Sequence, residues 1–189
     1  MKEFLFRILN KMYTTITKFK IPSILEDILK DLQKIGATPI IVGGCVRDYF
    51  LNIPVKDYDV EIFGIDCIQT IEKSLQKFGS VKLVGKSFGV LTLRVNKYDF
   101  DFALPRTETK IGLSHQDFEV ITNASLSFKE AAIRRDFTIN AIGYDFFKEE
   151  FIDPFDGIED LKTKTIKHIN DKTFIEDSLR VYRAVAFAS

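Results

Sequence analysis

The residues best equipped for chemistry are the carboxylates of Lys-Asp-Tyr-Asp-Val-Glu-Ile-Phe, residues 56–63. Asp57 and Asp59 stand two apart. On a β-strand such residues project from one face, so the segment predicts a strand with both acids on one side and Tyr58 and Val60 toward the core. Adjacent carboxylates repel, and the arrangement is costly unless a cation neutralises it. Hard oxygen donors on a rigid strand suit Mg²⁺ held together with substrate phosphates. A lone Asp-x-Asp is more often the solvent-facing side of an acidic sheet edge. Here Asp99 and Asp101, in Tyr-Asp-Phe-Asp-Phe-Ala-Leu-Pro-Arg, repeat the spacing and offer a third carboxylate if the two strands are neighbours. Asp101, nearer the Leu104-Pro105-Arg106 exit, is the preferred candidate. Three acids from two strands are what a two-ion phosphoryl-transfer centre requires, with one ion lowering the pKa of an attacking hydroxyl and the other holding the triphosphate, about 3.5–4 Å apart.

A candidate phosphate cradle precedes them. Pro39 to Val42 reads as a short apolar strand running into Gly43-Gly44, with a helix from Cys45 to Leu51 directly behind. Glycines there let backbone N–H groups approach an anion, backed by the positive end of the helix dipole. On its own a Gly-Gly turn is more often turn chemistry alone. Arg47 could reach phosphate with Asp48 orienting it, or the two could form an ordinary surface pair. Gly85-Lys86-Ser87 imitates the end of a P-loop, but Ser80 stands where its first glycine belongs and a strand-like stretch follows, so that reading is rejected. No G-x-G-x-x-G occurs. His115 and His168 are isolated, and two His with two Cys scattered along the chain do not suggest zinc.

The elements that must position these groups are mixed. A chain of 189 residues, 46% hydrophobic and with 18 Phe, can close one sizeable core. Lys plus Arg and Asp plus Glu number 27 each, so no global field draws the chain to nucleic acid or an anionic membrane, and any RNA contact must be local. Cys45 and Cys67 lie outside any C-x-x-C pattern and favour a reducing compartment, hence the cytoplasm. No apolar run approaches the ~18 residues of a spanning helix. Residues 1–20 form a basic, apolar-interleaved extension resembling a targeting peptide, though with one Arg and no small-residue cleavage site. Ser23 and Glu26 read as a capping box opening an amphipathic helix that Gly36 closes. A helix is expected around 66–78, strands over 81–84, 90–95 and 98–104, a helical stretch from Ser127 through Arg134, and a strand pair within 144–152. A final helix from Phe174 stops at Ser189 without a cap, which suggests a chain that normally continues. The reading is α+β: a head over 21–150 with a mixed sheet flanked by helices, then 151–189 as linker and the start of a helical neck.

Taken in order, GGCVRD, KDYDVEIFG, DFALPRTETK, RRDFTINAIGYD, IDPFDGIEDL and EDSLRVYRAVAF resemble the motifs of the tRNA nucleotidyltransferases (CCA-adding enzymes) and the related bacterial poly(A) polymerases, within the DNA polymerase β-like superfamily. The resemblance spans roughly residues 38–189. It implies that Asp57 and Asp59 bind metal, that Asp101 is the third acid, and that Gly43, Gly44, Arg47 and Asp48 cradle the triphosphate. It further implies that Arg135, Asp136 and Asn140 meet the ribose and phosphates, and that Asp153, Pro154 and Gly157 form a hinge-like connection. The implied activity is template-independent addition of C and A to a tRNA 3′ end from CTP and ATP, with two Mg²⁺ ions and pyrophosphate release. No membrane partner is implied.

By the same likeness Asp177 and Arg180 read the base, with Arg183 beside them. Three apart, Asp177 and Arg180 are expected as neighbours on one helical face, where an isolated Asp-x-x-Arg is usually a solvated salt bridge. Cytosine and adenine both present an exocyclic amine beside a ring-nitrogen acceptor, which an Asp acceptor next to an Arg donor can meet. Uracil and guanine reverse the pattern and leave polar groups unsatisfied at about 1–3 kcal/mol apiece. The alternatives are a poly(A) polymerase, an enzyme adding only CC or only A, and a catalytically silent nucleotide- or RNA-binding module that kept the fold.

Overall fold

The computed structural model describes residues 19–84, 89–112, 118–175 and 177–188. Most of the expected N-terminal extension, the Gly85-Lys86-Ser87 decoy and His115 lie outside them. The helices are α1 (Ser23–Lys34), α2 (Gly44–Phe50), α3 (Ile68–Leu75), α4 (Phe128–Ala132), α5 (Gly157–Lys162), α6 (Asp171–Ile175) and α7 (Leu179–Ala188), with a 3₁₀ turn over Thr138–Asn140. The strands are β1 (Thr38–Val42), β2 (Asp57–Phe63), β3 (Val81–Val84), β4 (Val90–Val95), β5 (Tyr98–Ala103), β6 (Arg106–Lys110), β7 (Phe118–Thr122), β8 (Gly143–Asp145) and β9 (Glu150–Ile152). Seven strands form a mixed sheet in the order β3-β4-β5-β2-β1-β8-β9, parallel at β2–β5 and antiparallel at the other pairings. β6 and β7 form a separate antiparallel ribbon that the sequence reading did not anticipate.

The two faces of the sheet differ. On one, Tyr58, Val60 and Ile62 of β2, Phe100 and Phe102 of β5 and Leu91 and Leu93 of β4 join Leu25, Ile28, Leu29 and Leu32 of α1 and Ile71 and Leu75 of α3 in the main core. Each fully buried Leu or Ile there contributes about 1.5–3 kcal/mol over an exposed one. Phe19, just before the expected boundary at residue 21, belongs to this core, 2% exposed and edge-on to Tyr144. On the other face a smaller cluster of Ile40, Val42, Phe63 and Ala131 anchors α4 and leaves the rest of that face free for polar groups.

Two end signals differ from expectation. The Ser23–Glu26 capping box does not form: α1 starts one residue earlier, at an N-cap Pro22 without a side-chain hydrogen bond, and Pro22 O accepts from Leu25 N and Glu26 N instead. A genuine capping box lies at Ser127 and Glu130, opening α4. At its other end α1 stops at Gly36, whose φ of +90° is readily adopted by glycine.

Asp31 on α1 accepts from Lys77 Nζ and Ser74 Oγ at 2.7 and 2.6 Å, contacts that hold its carboxyl below the ordinary range, the Lys77 bond foremost. A depressed folded pKa stabilises above the unfolded value and stops doing so as pH falls through the folded one. Asp31→Asn is therefore expected to lower the melting temperature at neutral pH, with the difference closing in acid below the normal carboxylate range. Urea melts at pH 7 and in acid check this.

Candidate functional site

The acids lie on the face opposite the main core. β2 and β5 run parallel with Asp57 beside Asp99 and Asp59 beside Asp101, so the second acidic strand is the neighbour that the spacing required. Asp99 is occupied by Arg94 at 3.0 Å. Asp101 accepts from Thr92 Oγ1 at 2.6 Å and lines a cavity with Asp59. Asp57 is exposed and lines neither that cavity nor the main cleft.

Beside Asp59 is the glycine turn. Gly43 has φ +78°, and a Cβ there would lie 3.1 Å from both Asp59 Oδ2 and Arg135 Nη1; the missing side chain lets an acid, a guanidinium and the turn converge. The resulting cleft, about 430 Å³, is lined by Gly43, Gly44, Arg47, Asp59, Arg134, Arg135, Asp136, Asn140, Asp177, Arg180 and Arg183. Ten of the thirteen residues singled out in the sequence therefore meet in one place; Asp57, Asp48 and Asp101 do not line it, and Asp101 lines the adjoining cavity.

Several side chains are committed differently from the expectation. Arg47 does not extend free toward an anion: its Nε and Nη2 donate to Asp48 Oδ1 at 2.8 and 2.7 Å and its Nη1 to Asn140 Oδ1 at 2.8 Å. Asn140 Nδ2 donates to Asp136 Oδ1 at 3.0 Å, and Arg183 Nε donates to Asp136 Oδ2 at 2.6 Å. One polar chain thus ties α2 through the 3₁₀ turn to α7. Asp177 is not on the helical face with Arg180; it precedes α7 and accepts from Leu179 N at 3.0 Å, as short polar residues do at helix starts. Arg180 is 8% exposed and donates to the carbonyls of Arg135 and Arg134 at 3.3 and 2.7 Å.

Two site residues escaped the sequence reading. Glu61 was expected on the solvated side of an alternating strand, yet it is 1% exposed. The signal was available, since Asp57, Asp59 and Glu61 share one face at period two. Arg134 was passed over beside Arg135; it donates to Glu61 Oε1 and lies 3.7 Å from Glu108, which pairs with Arg106 at 2.9 Å. Burial works to raise the Glu61 carboxyl, but Arg135 and Arg134 outweigh it and hold the group below its ordinary range. Asp59 moves the other way: burial pushes it up, Arg135 opposes, and the charges of Asp101 and Glu61 reinforce the rise.

Among the described residues, no three His, Cys, Asp or Glu side chains already form a metal cage. The donor chemistry of Asp59, Asp101 and Asp57 nonetheless fits a hard divalent cation: in-register carboxylates from two strands, with Asp59 raised first by desolvation and then by the charges of Asp101 and Glu61, a repulsion that a cation relieves.

The cysteines differ in the same region. Cys45, behind the glycine turn, donates to Val42 O, and burial pushes its thiol up to about 12. Cys67 is exposed, and a hydrogen bond with Thr70 lowers it. Thiolate is the reactive form, so a maleimide should modify Cys67 within minutes and Cys45 only after unfolding. Mass spectrometry of the labelled chain, native and in guanidinium, checks this.

A mixed sheet carrying an acidic pair beside a glycine turn defines the head fold of the nucleotidyltransferases, and solved structures of similar chains agree. This chain is similar to a CCA-adding enzyme in its apo form II (TM-score 0.75, 27% identity, 93% of this chain and 42% of that one). It is also similar to the Bacillus stearothermophilus CCA-adding enzyme in complex with CTP (TM-score 0.69, 28% identity, 86% and 38%). A third is a tRNA nucleotidyltransferase complexed with a primer tRNA and an incoming ATP analogue (TM-score 0.67, 32% identity, 85% and 44%). Residues 40–167 match the poly(A) polymerase head domain, and the chain belongs to that family. Relatives include the multifunctional CCA protein of Mannheimia succiniciproducens, 41% identical over 149 residues (79% of this chain, 33% of the relative). The CCA-adding enzyme of Buchnera aphidicola is 40% identical over 149 residues (79% and 34%). The chain spans about a third of the length of these curated relatives.

Proposed function

We propose that this chain is the catalytic head of an enzyme that adds C and A to the 3′ end of tRNA from CTP and ATP, releasing pyrophosphate. The observation that carries the reading is the convergence of Asp59, Gly43 and Arg135 in one cleft, with Asp101 in register beside Asp59. The backbone of the glycine turn and Arg135 bind the triphosphate; Asp59 and Asp101, with Asp57, would hold Mg²⁺. When bound, the metal lowers the pKa of the attacking hydroxyl and neutralises charge on the phosphates. The chain's own residues act chiefly by positioning and by presenting fixed dipoles where charge develops.

Base choice falls to Asp177 and Arg180, which line the same cleft. Arg180 donates to two backbone carbonyls, which hold its guanidinium at the cleft, where its remaining N–H groups are available to a base edge that pairs an amine with a ring-nitrogen acceptor. We assign residues 21 to about 150 to the head, with the last residues of β9 completing its sheet at Ile152, and the rest of 151–189 to a linker and the start of a helical neck. We place the reaction in the cytoplasm, with which two free cysteines agree; among the described residues no helix is long and apolar enough to cross a membrane.

A tRNA lacking its terminal CCA, incubated with CTP alone, ATP alone and both, tests the reading. Two C and then one A are expected. Repeated A without C would instead make the chain a poly(A) polymerase, and no incorporation with either nucleotide would leave a silent binding module.

A further inference from the structure

Glu61 is an unusual residue for the middle of a sheet. It stands in β2 between Ile40 of β1 and Ala103 of β5, two residues beyond Asp59 on the same face, and is 1% exposed. A carboxylate so placed is tolerated only when paired. Its Oε1 accepts from Arg134 Nη2 and lies 3.5 Å from Arg135 Nη2. The other terminal nitrogen of Arg135, Nη1, lies 3.4 Å from the carbonyl of Asn140 and 3.1 Å from the position that a Cβ on Gly43 would take. A guanidinium is planar and rigid, so anchoring one Nη sets the direction of the other.

We infer that Glu61 is a positioning residue for triphosphate recognition: its buried carboxylate holds the Arg135 guanidinium across the Gly43 turn, where the phosphates of a nucleotide enter. Consecutive arginines repel each other and, with no anion between them, drift toward solvent. Glu61 divides their duties. Arg134 donates its hydrogen bond to Glu61 Oε1 and extends its other terminal nitrogen toward Glu108 on β6, 3.7 Å away, while Arg135, paired to the same oxygen at 3.5 Å, faces the glycine turn. Arg180, which donates to the carbonyls of both, fixes their backbone but not the direction of their charges. The inference rests on the nucleotide-binding reading above and adds to it a residue that touches no substrate.

The test uses the full chain, Mg²⁺ and titration calorimetry with CTP and with CMP, alongside thermal melts. Glu61→Gln keeps the shape and removes the charge. The parent should prefer CTP to CMP; the variant should lose about 10- to 100-fold in CTP affinity, the range of one charge-assisted contact, while CMP binding changes little. Arg135→Gln should show the same selective loss, and the double variant should be no worse than Arg135→Gln alone, as coupled residues behave. Should Glu61→Gln melt below the assay temperature, Glu61→Asp, which withdraws the charge by one methylene, takes its place with the same expectation. Equal weakening of CTP and CMP, unchanged CTP affinity, or additive losses in the double variant overturn the inference. A parent chain that binds neither nucleotide overturns the reading of the cleft itself, and the inference with it.

Discussion

Changing Asp57 and Asp59 together to alanine is expected to reduce nucleotide incorporation by about 1000-fold or more, the scale of losing several kcal/mol of charge stabilisation at the reacting phosphate. The same change should leave the melting temperature level or slightly higher. Asp59 carries its charge at a cost, since burial and the charges of Asp101 and Glu61 push its pKa up. Removing a carboxylate that is raised in the folded state relieves repulsion near neutral pH. Activity lost with stability kept or gained separates a catalytic acid from a structural one. Of the single variants, Asp59→Ala should account for most of the loss, because Asp59 lines the cleft with Gly43 and Arg135 and Asp57 does not. Primer extension and a thermal melt on the same preparations provide both readings. A double variant as active as the parent would falsify the proposed chemistry.

Gly157→Ala should have the largest effect on stability. A Cβ at this position would fall 2.2 Å from the carbonyl oxygen of Thr138 and 2.7 Å from its carbon, so the obstacle is backbone, which does not rotate away as a side chain end does. Overpacking of this kind costs about 1–3 kcal/mol or more, a fall of about 2–12 °C in melting temperature for a domain of this size. The Asp153 carboxylate accepts from Gly157 N and Ile158 N, each at 2.8 Å, and fixes the start of α5, while Thr138 Oγ1 donates to Asp160 at 2.6 Å and ties α5 against the 3₁₀ turn. That turn carries Asn140 into the cleft, so CTP affinity should fall along with the melting temperature. An unchanged melting curve would contradict the close packing of α5 on the Thr138 carbonyl.

Legibility in the sequence followed the range of the forces involved. Strand β2, helix α1 and the glycine turn were readable because each is set by local pattern: period two, period 3.6, and glycines at a strand-to-helix junction. The choice of Asp101 over Asp99 rested on its place near the Leu104-Pro105-Arg106 exit together with the family resemblance; in the structure the parallel register sets Asp101 beside Asp59. What was not legible depended on distant partners. Glu61 reads as one more polar residue in an alternating strand until Arg134, 73 positions later, arrives to bury it. Arg47 reads as paired with Asp48, which is what forms; that Asn140, 93 positions later, takes the other end of its fork is not legible. The ribbon of β6 and β7 has little hydrophobic patterning, and the Ser23 capping box failed because the neighbouring Pro22, with φ already fixed, took the cap position.

The grip of α7 on the segment Arg134–Asp136 has a mechanical consequence. Arg180 holds two successive carbonyls of that segment and Arg183 holds its carboxylate, so the helix and one wall of the nucleotide cleft are coupled like a lever and its jaw. Any tilt of the lever is delivered to the jaw without slack, and the spacing between Arg135 and the glycine turn becomes a function of the angle at which that helix is carried.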